Sequence, residues 1–234
     1  MPRPAPLPPS LERAPFTTSE ARRLGMTPAR LRAGDLRAPH RGVRTAKVLD
    51  LDLPTRCRAY AHIMADGHTF SHSTAAMLHG MPVPAAFERD PRLHVSAPEG
   101  RRAPRATGIC GHKTTVPFLM HRVHGVRVLS PADTWCTLAT QLGLDDLIAA
   151  GDRLLGLPRP LADVGRIRAA VERFGRRRGF ERLRAALPEL RADVYSPRET
   201  SLRLALVRAG LPEPAATSSS VHGRSSSSTT VNST

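Results

Sequence analysis

The chain has 234 residues, enough for one large domain or about two to three small ones. Its 35 Lys and Arg outweigh 20 Asp and Glu, leaving a formal charge of +15, which suits a polyanion partner, above all nucleic acid. No apolar run reaches the roughly 20 residues that cross a bilayer, and the Pro-rich start "MPRPAPLPPSLERAP" lacks the apolar centre of a secretory signal. Cys57, Cys110 and Cys136 are odd in number and form no CxxC pair. That speaks against a disulfide framework or a zinc finger and suits a reducing cytoplasm. Every basic residue but Lys47 and Lys113 is Arg. GC-rich coding produces the same bias, so charge alone leaves the nucleic-acid reading open.

In chain order, residues 1–15 are expected to be a disordered Pro-rich leader. "TTSEARRLG" then carries a capping box, Thr17 with Glu20, an apolar pair in Ala21 and Leu24, and a stop at Gly25. "MTPARLRAGD" predicts a second helix, with Thr27 as cap, Pro28 in the first turn and Leu31 facing inward. "LRAPHRGVRTA" predicts two short strands around a turn at Pro39 and Gly42. Two short helices and a hairpin outline a winged helix-turn-helix over 16–48. In that geometry the second helix and the wing face DNA. The residues they would present are Thr27, Arg30, Arg32, Arg37, His40, Arg41 and Arg44. Between 16 and 45 seven Arg stand against Glu20 and Asp35, a local excess where a DNA reader needs it. A helical subdomain with a solvated basic face fits the same pattern.

Residues 49–158 predict a mixed α/β domain. Cys57, Tyr60, Ala61 and Met64 fall at helical spacing, and a second helix begins at Ser71 or Ser73 and ends at Gly80. "RLHVSAPEG", with Leu93 and Val95 on one face, "ATGICGHK" and "HGVRVLS" read as strands. "SPADTWCTLATQLGLDDLIAAGDRLLG" reads as a helix pair capped by Ser130. His72 and His79 lie seven apart on one helical face, too far to share an ion unless other elements contribute, so capping or packing is expected of them. No HExxH or nucleophile-elbow pattern accompanies them. No metal or catalytic residue is therefore assigned. Residues 159–192 form an Arg-rich helical linker whose "RRR", Arg176–Arg178, sits in a turn between Gly175 and Gly179. Such a turn suits a phosphate contact or a solvated surface.

"FTTSEARRLGMTPARLRAGDLRAPHRGVRT" resembles the N-terminal winged helix of AbiEi-type antitoxins of the abortive-infection, type IV toxin–antitoxin systems. "SHSTAAMLHG" and "GVRVLSPADTW" resemble the α/β domain that follows it there. "SPRETSLRLALVRAGLPEP" has Ser196 as cap, Pro197 in the first turn, Glu199 three residues on, and Leu202, Ala205 and Leu206 as the expected buried stripe. It resembles the first helix of the Vsr-like endonuclease domain, of the restriction-endonuclease fold. The resemblance implies an α+β chain: winged helix, central mixed α/β domain, C-terminal helices with an endonuclease fragment at 193–214, and a disordered Ser/Thr-rich tail at 215–234. It implies a cytoplasmic, non-membrane transcriptional regulator or antitoxin acting on double-stranded DNA, with a cognate toxin as a further partner and homodimerisation open.

A full-length endonuclease relative would use Mg²⁺, and Glu199 maps near that metal site. Such chemistry needs an Asp and a Glu as hard ligands with a Lys beside them. After Glu213 the chain has no Asp, Glu or Lys. Glu199 is thus expected to be half of a capping box and no catalytic residue, the tail being an out-of-frame or artificial end. No cofactor is expected. An active Mg²⁺ endonuclease and a toxin-binding module are the alternative functions.

Overall fold

A computed structural model describes residues 4–194 and 196–213; the Ser/Thr-rich tail expected at 215–234 lies outside the described residues. The protein is mixed α+β, with two sheets and ten helices among the described residues. None of these helices is long and apolar enough to cross a membrane.

The leader is ordered where it has something to bury. Pro9–Glu12 form a single turn, α1, and its Leu11 packs with Phe16, Ala21, Met26, Leu31 and Leu36 in a small N-terminal core. Phe16–Thr17 form β1 and Thr18–Arg23 form α2. The Thr17 hydroxyl accepts the Glu20 N–H at 3.0 Å, as the capping box predicts, and Gly25 ends the helix at φ 84°. The second expected helix shrinks to a 3₁₀ turn, Arg30–Arg32. Pro28 and Gly34 leave room for little more than one turn, yet Leu31 is buried as its position requires. Leu36–Arg37 (β2) and Val43–Ala46 (β3) form the hairpin, and β3 pairs antiparallel with both β1 and β2, giving the order β1-β3-β2.

Leu53–Ala61 form α3, capped by Asp52, which accepts the Thr55 N–H at 2.8 Å. The second sheet follows: Thr69–Phe70 (β4), Leu93–Ala97 (β5), Ile109–Lys113 (β6), Met120–Val123 (β7) and Val126–Leu129 (β8). Its order is β6-β5-β4-β8-β7, parallel at β5–β6 and β4–β8 and antiparallel elsewhere. Strands β4 and β7 carry no sequence signal, one having two residues and the other being an exposed edge. The β7–β8 turn is His124–Gly125, both at positive φ, as a two-residue hairpin turn demands. His72–Leu78 (α4) and Ala85–Glu88 (α5) lie between β4 and β5. Cys57 and Tyr60 from α3 and Ala75 and Leu78 from α4 pack with Phe70, Leu93, Val95, Val126 and Val128.

The β6 strand runs against the loop before it. A Cβ at Gly111 would collide with the Pro104 carbonyl oxygen, a backbone atom that cannot step aside. Gly111→Ala is therefore expected to cost at least about 2 kcal/mol, read as a lower urea midpoint. An unchanged midpoint would show that this loop yields freely.

The largest core is helical. Pro131–Leu138 (α6), Leu144–Leu155 (α7), Val164–Phe174 (α8), Phe180–Ala186 (α9) and Pro197–Arg208 (α10) enclose Trp135, Leu138, Leu147, Ile148, Leu154, Ile167, Leu183 and Leu204. Trp135 is wholly buried and donates its Nε1–H to the Leu147 carbonyl at 2.8 Å. The stripe expected on α10 is corrected: Leu202 and Ala205 face solvent, Leu206 is half-buried, and Thr200, Arg203 and Leu204 are buried. A carboxylate on α7, Asp152, draws the polar pair inward, with Thr200 Oγ1 at 2.7 Å and Arg203 at 3.2 Å.

Candidate functional site

The basic N-terminal segment sorts its cations into two groups. Arg30 is structural: its guanidinium grips Asp35 through both nitrogens at 2.8 and 2.7 Å and donates its Nε–H to the Ala5 carbonyl at 2.6 Å. Arg44 donates to the carbonyls of Leu31 and Val43, both at 2.9 Å, tying the hairpin to the 3₁₀ turn. The Thr27 hydroxyl accepts the Arg30 N–H at 3.2 Å and opens that turn. His40 meets the edge of Tyr60, ring centroids 5.2 Å apart, and burial lowers its pKa. The second group is exposed: the guanidinium groups of Arg32, Arg37 and Arg41, with those of Arg22 and Arg23 from α2, make no hydrogen bond or ion pair among the described residues.

A second constellation lies on the large sheet. Leu93 and Val95 point into the core, so His94 and Ser96 occupy the other face of β5. In the parallel register Ser96 pairs with His112 and His94 with Cys110, which puts His112 on that same face. The chain enters α4 directly above, and there His72 adopts φ 53°, a conformation that costs a non-glycine residue. The result is three imidazoles in contact. His72 stacks on His112 with centroids 3.7 Å apart and planes 19° apart, and His94 Nδ1 lies 2.9 Å from His112 Nε2.

Side chains around the cluster hold it in place. Ser71 stands at the cap of α4, but its hydroxyl makes no cap bond. It lies 2.9 Å from His72 Nδ1 and accepts from Ser96 Oγ at 2.8 Å. The first N–H groups of α4 go instead to Thr137 Oγ1, at 3.2 Å from His72 N, and to Gln141 Oε1, at 3.1 Å from Ser73 N. Thr74 Oγ1 accepts the His94 N–H at 2.8 Å. Burial drives the His72 pKa well below the usual imidazole value, helped by His112 and His94. Burial and the neighbouring His112 push His94 down to about 4, and burial lowers His112. All three rings are thus neutral at pH 7, the form in which imidazole accepts a proton or a metal. His72 also lines a cavity of about 250 Å³ rimmed by Lys113, Arg177 and Arg178.

No protein-family model matches the chain, and no curated protein matches it.

His79 does pack, its Nε2 lying 2.8 Å from the Leu129 carbonyl oxygen. His72 does more, because β5 and β6 supply the other two ligand-type residues. The linear spacing of 72, 94 and 112 shows nothing. The signal available was the face of "RLHVSAPEG" opposite Leu93 and Val95. Glu199 takes part in the expected cap of α10: its carboxylate accepts from Ser196 Oγ at 2.9 Å, and its own N–H reaches that hydroxyl at 3.3 Å. Among the described residues one group of His, Cys, Asp or Glu gathers at metal-ligating distance, His72, His94 and His112, and Glu199 is not in it. In the "RRR" turn, Arg177 donates to Thr115 Oγ1 at 3.0 Å and to the Phe174 carbonyl.

Proposed function

We propose that the protein is a double-stranded-DNA-binding regulator of the antitoxin type, and that residues 9–46 act as a reduced winged helix. The element order helix, strand, helix, turn, strand, strand with the sheet order β1-β3-β2 supports this reading. The observation that carries it is the division of labour among the arginines. Arg30 and Arg44 are consumed in holding the turn to the hairpin, while Arg32, Arg37 and Arg41 remain exposed and unpaired on the same two elements. Cations that the fold does not use are available to phosphate oxygens. The proposed contacts are Arg32, Arg37 and Arg41, with Arg22 and Arg23 beside them. Thr27, Arg30, His40 and Arg44 support the surface. A 3₁₀ turn offers fewer base-reading positions than a full recognition helix, so backbone contact dominates the binding.

Duplex DNA should bind with an affinity that falls steeply with salt, by about 0.9 in log–log slope per phosphate neutralised. Replacing Arg32, Arg37 and Arg41 together by Ala should lower that slope by about three. Thr27→Ala should leave it unchanged. A fluorescence-anisotropy titration across salt concentrations checks both. No binding at low salt, or the same slope in the triple variant, overturns the reading.

A further inference from the structure

We propose that His72, His94 and His112 form a binding site for a divalent cation of the zinc class, held through His72 Nε2, His94 Nδ1 and His112 Nε2. One ring nitrogen from each lies within 4.8 Å of the other two. Tetrahedral zinc with Zn–N bonds of about 2.0–2.1 Å sets its ligand nitrogens roughly 3.3 Å apart. His94 Nδ1 and His112 Nε2, now 2.9 Å apart, need to part by a few tenths of an ångström, and each ring must swing so that its lone pair points roughly 35° off the N···N line toward the ion. The proton they share moves to the far nitrogen of whichever ring carries it, so that both present lone pairs.

His72 needs a larger adjustment. In the tautomer whose Nδ1–H donates to Ser71, Nε2 carries the lone pair, and that atom makes no hydrogen bond among the described residues. A partner on the remote ring nitrogen is the usual way a ligand imidazole is held in one tautomer. The ring is stacked on His112 and must turn about its Cβ–Cγ bond to aim Nε2 at the ion, a motion that the Ser71 hydroxyl must follow by its own rotation if the Nδ1 contact is to persist. That torsion is soft for imidazole, and the cavity beside His72 gives it room. Three imidazoles without a carboxylate select zinc, cobalt, nickel or copper over magnesium and calcium. A fourth coordination position would open toward Lys113 and Arg177, which suits an anionic or water ligand there.

The metal also accounts for an otherwise costly arrangement. The fold buries imidazoles on a strand face and holds one at a left-handed φ, when apolar side chains would fill the space at lower cost.

The test uses the full chain stripped with EDTA and no DNA, so its outcome is independent of the DNA-binding proposal. Cobalt titration should give visible d–d bands saturating at one equivalent, and zinc should displace them. X-ray absorption of the zinc-loaded protein should show three imidazole nitrogens at about 2.0 Å. His112→Asn, on a half-exposed strand, should retain the far-UV circular dichroism and weaken zinc by about 100-fold or more, beyond the 10–100-fold of losing an outer-shell partner. His121→Asn should change nothing. Fewer than three imidazole ligands, or cobalt binding equal in the native chain and His112→Asn, overturns the proposal.

Discussion

Asp152→Ala is expected to destabilise the protein by about 3–5 kcal/mol, the usual consequence of stripping one partner from a buried ion pair. Asp152 on α7 accepts the Arg191 N–H and the Thr200 hydroxyl, both at 2.7 Å, and an Arg203 N–H at 3.2 Å. The two side chains of the pair are 2% and 6% exposed. Arg203 reaches the Glu189 carbonyl at 3.0 Å and Glu213 at 3.4 Å, and its Nε–H has no partner among the described residues. Without Asp152 a guanidinium would remain buried beside a single distant carboxylate, and the Arg191 and Thr200 donors would also lose their acceptor. Those losses fall on the α7–α10 contact that also buries Leu204. Urea unfolding gives the number. The pair Asp152→Leu with Arg203→Met should recover most of the loss, since apolar replacement of a whole buried pair is often neutral. A loss below about 1 kcal/mol for Asp152→Ala would mean that water reaches the pair as it does a surface one.

The second large effect is acid destabilisation of the metal-free protein, measured with EDTA present. In the unfolded chain an imidazole titrates near 6.5, whereas folded His94 stays neutral down to about 4. Between those values the unfolded state binds a proton that the native state does not, so stability falls as pH falls. His94 alone contributes on the order of 3 kcal/mol, fully present above pH 6.5 and gone below about 4. His72 and His112 are shifted in the same direction and add to the slope.

The groups facing His94 are His112 and His72, the Gln141 amide at 3.4 Å, Arg92, which lowers it further, and Asp90, which opposes. Asp90 titrates lower, held at about 2 by its hydrogen bonds from Arg92, so its loss belongs to a separate, more acidic window. Urea unfolding free energies at pH 7 and pH 5 should differ by more than 1 kcal/mol, and His94→Gln should reduce the difference. Equal stability at the two pH values would show that the cluster is solvated or already protonated.

Much of the local structure is legible in the residues themselves. Thr17, Ser130 and Ser196 cap the helices they are expected to cap, because a cap bond joins residues three apart and needs no tertiary partner. The hairpin around Pro39 and Gly42 and the mixed α+β composition follow from turn chemistry and period. What the residues do not announce is whatever depends on distant partners. Leu202 reads as core and lies exposed, because Asp152, nearly fifty residues upstream, turns the other side of α10 inward. The leader reads as Pro-rich and disordered, yet Leu11 completes the small core around Phe16.

The candidate sites divide in the same way. By itself the sequence determined where positive charge concentrates and which segments are bounded by caps and turns, since both are properties of neighbouring residues; α1, β4, β7 and the shortening of the second helix to a 3₁₀ turn were not among them. Tertiary structure alone decided which arginines are spent on the fold and which stay free, because that depends on whether Asp35 or a carbonyl of another element comes within reach. It also decided that His72, His94 and His112 meet. Their juxtaposition comes from the parallel register of β5 and β6 and the placement of α4 above them, geometry that no spacing along the chain encodes.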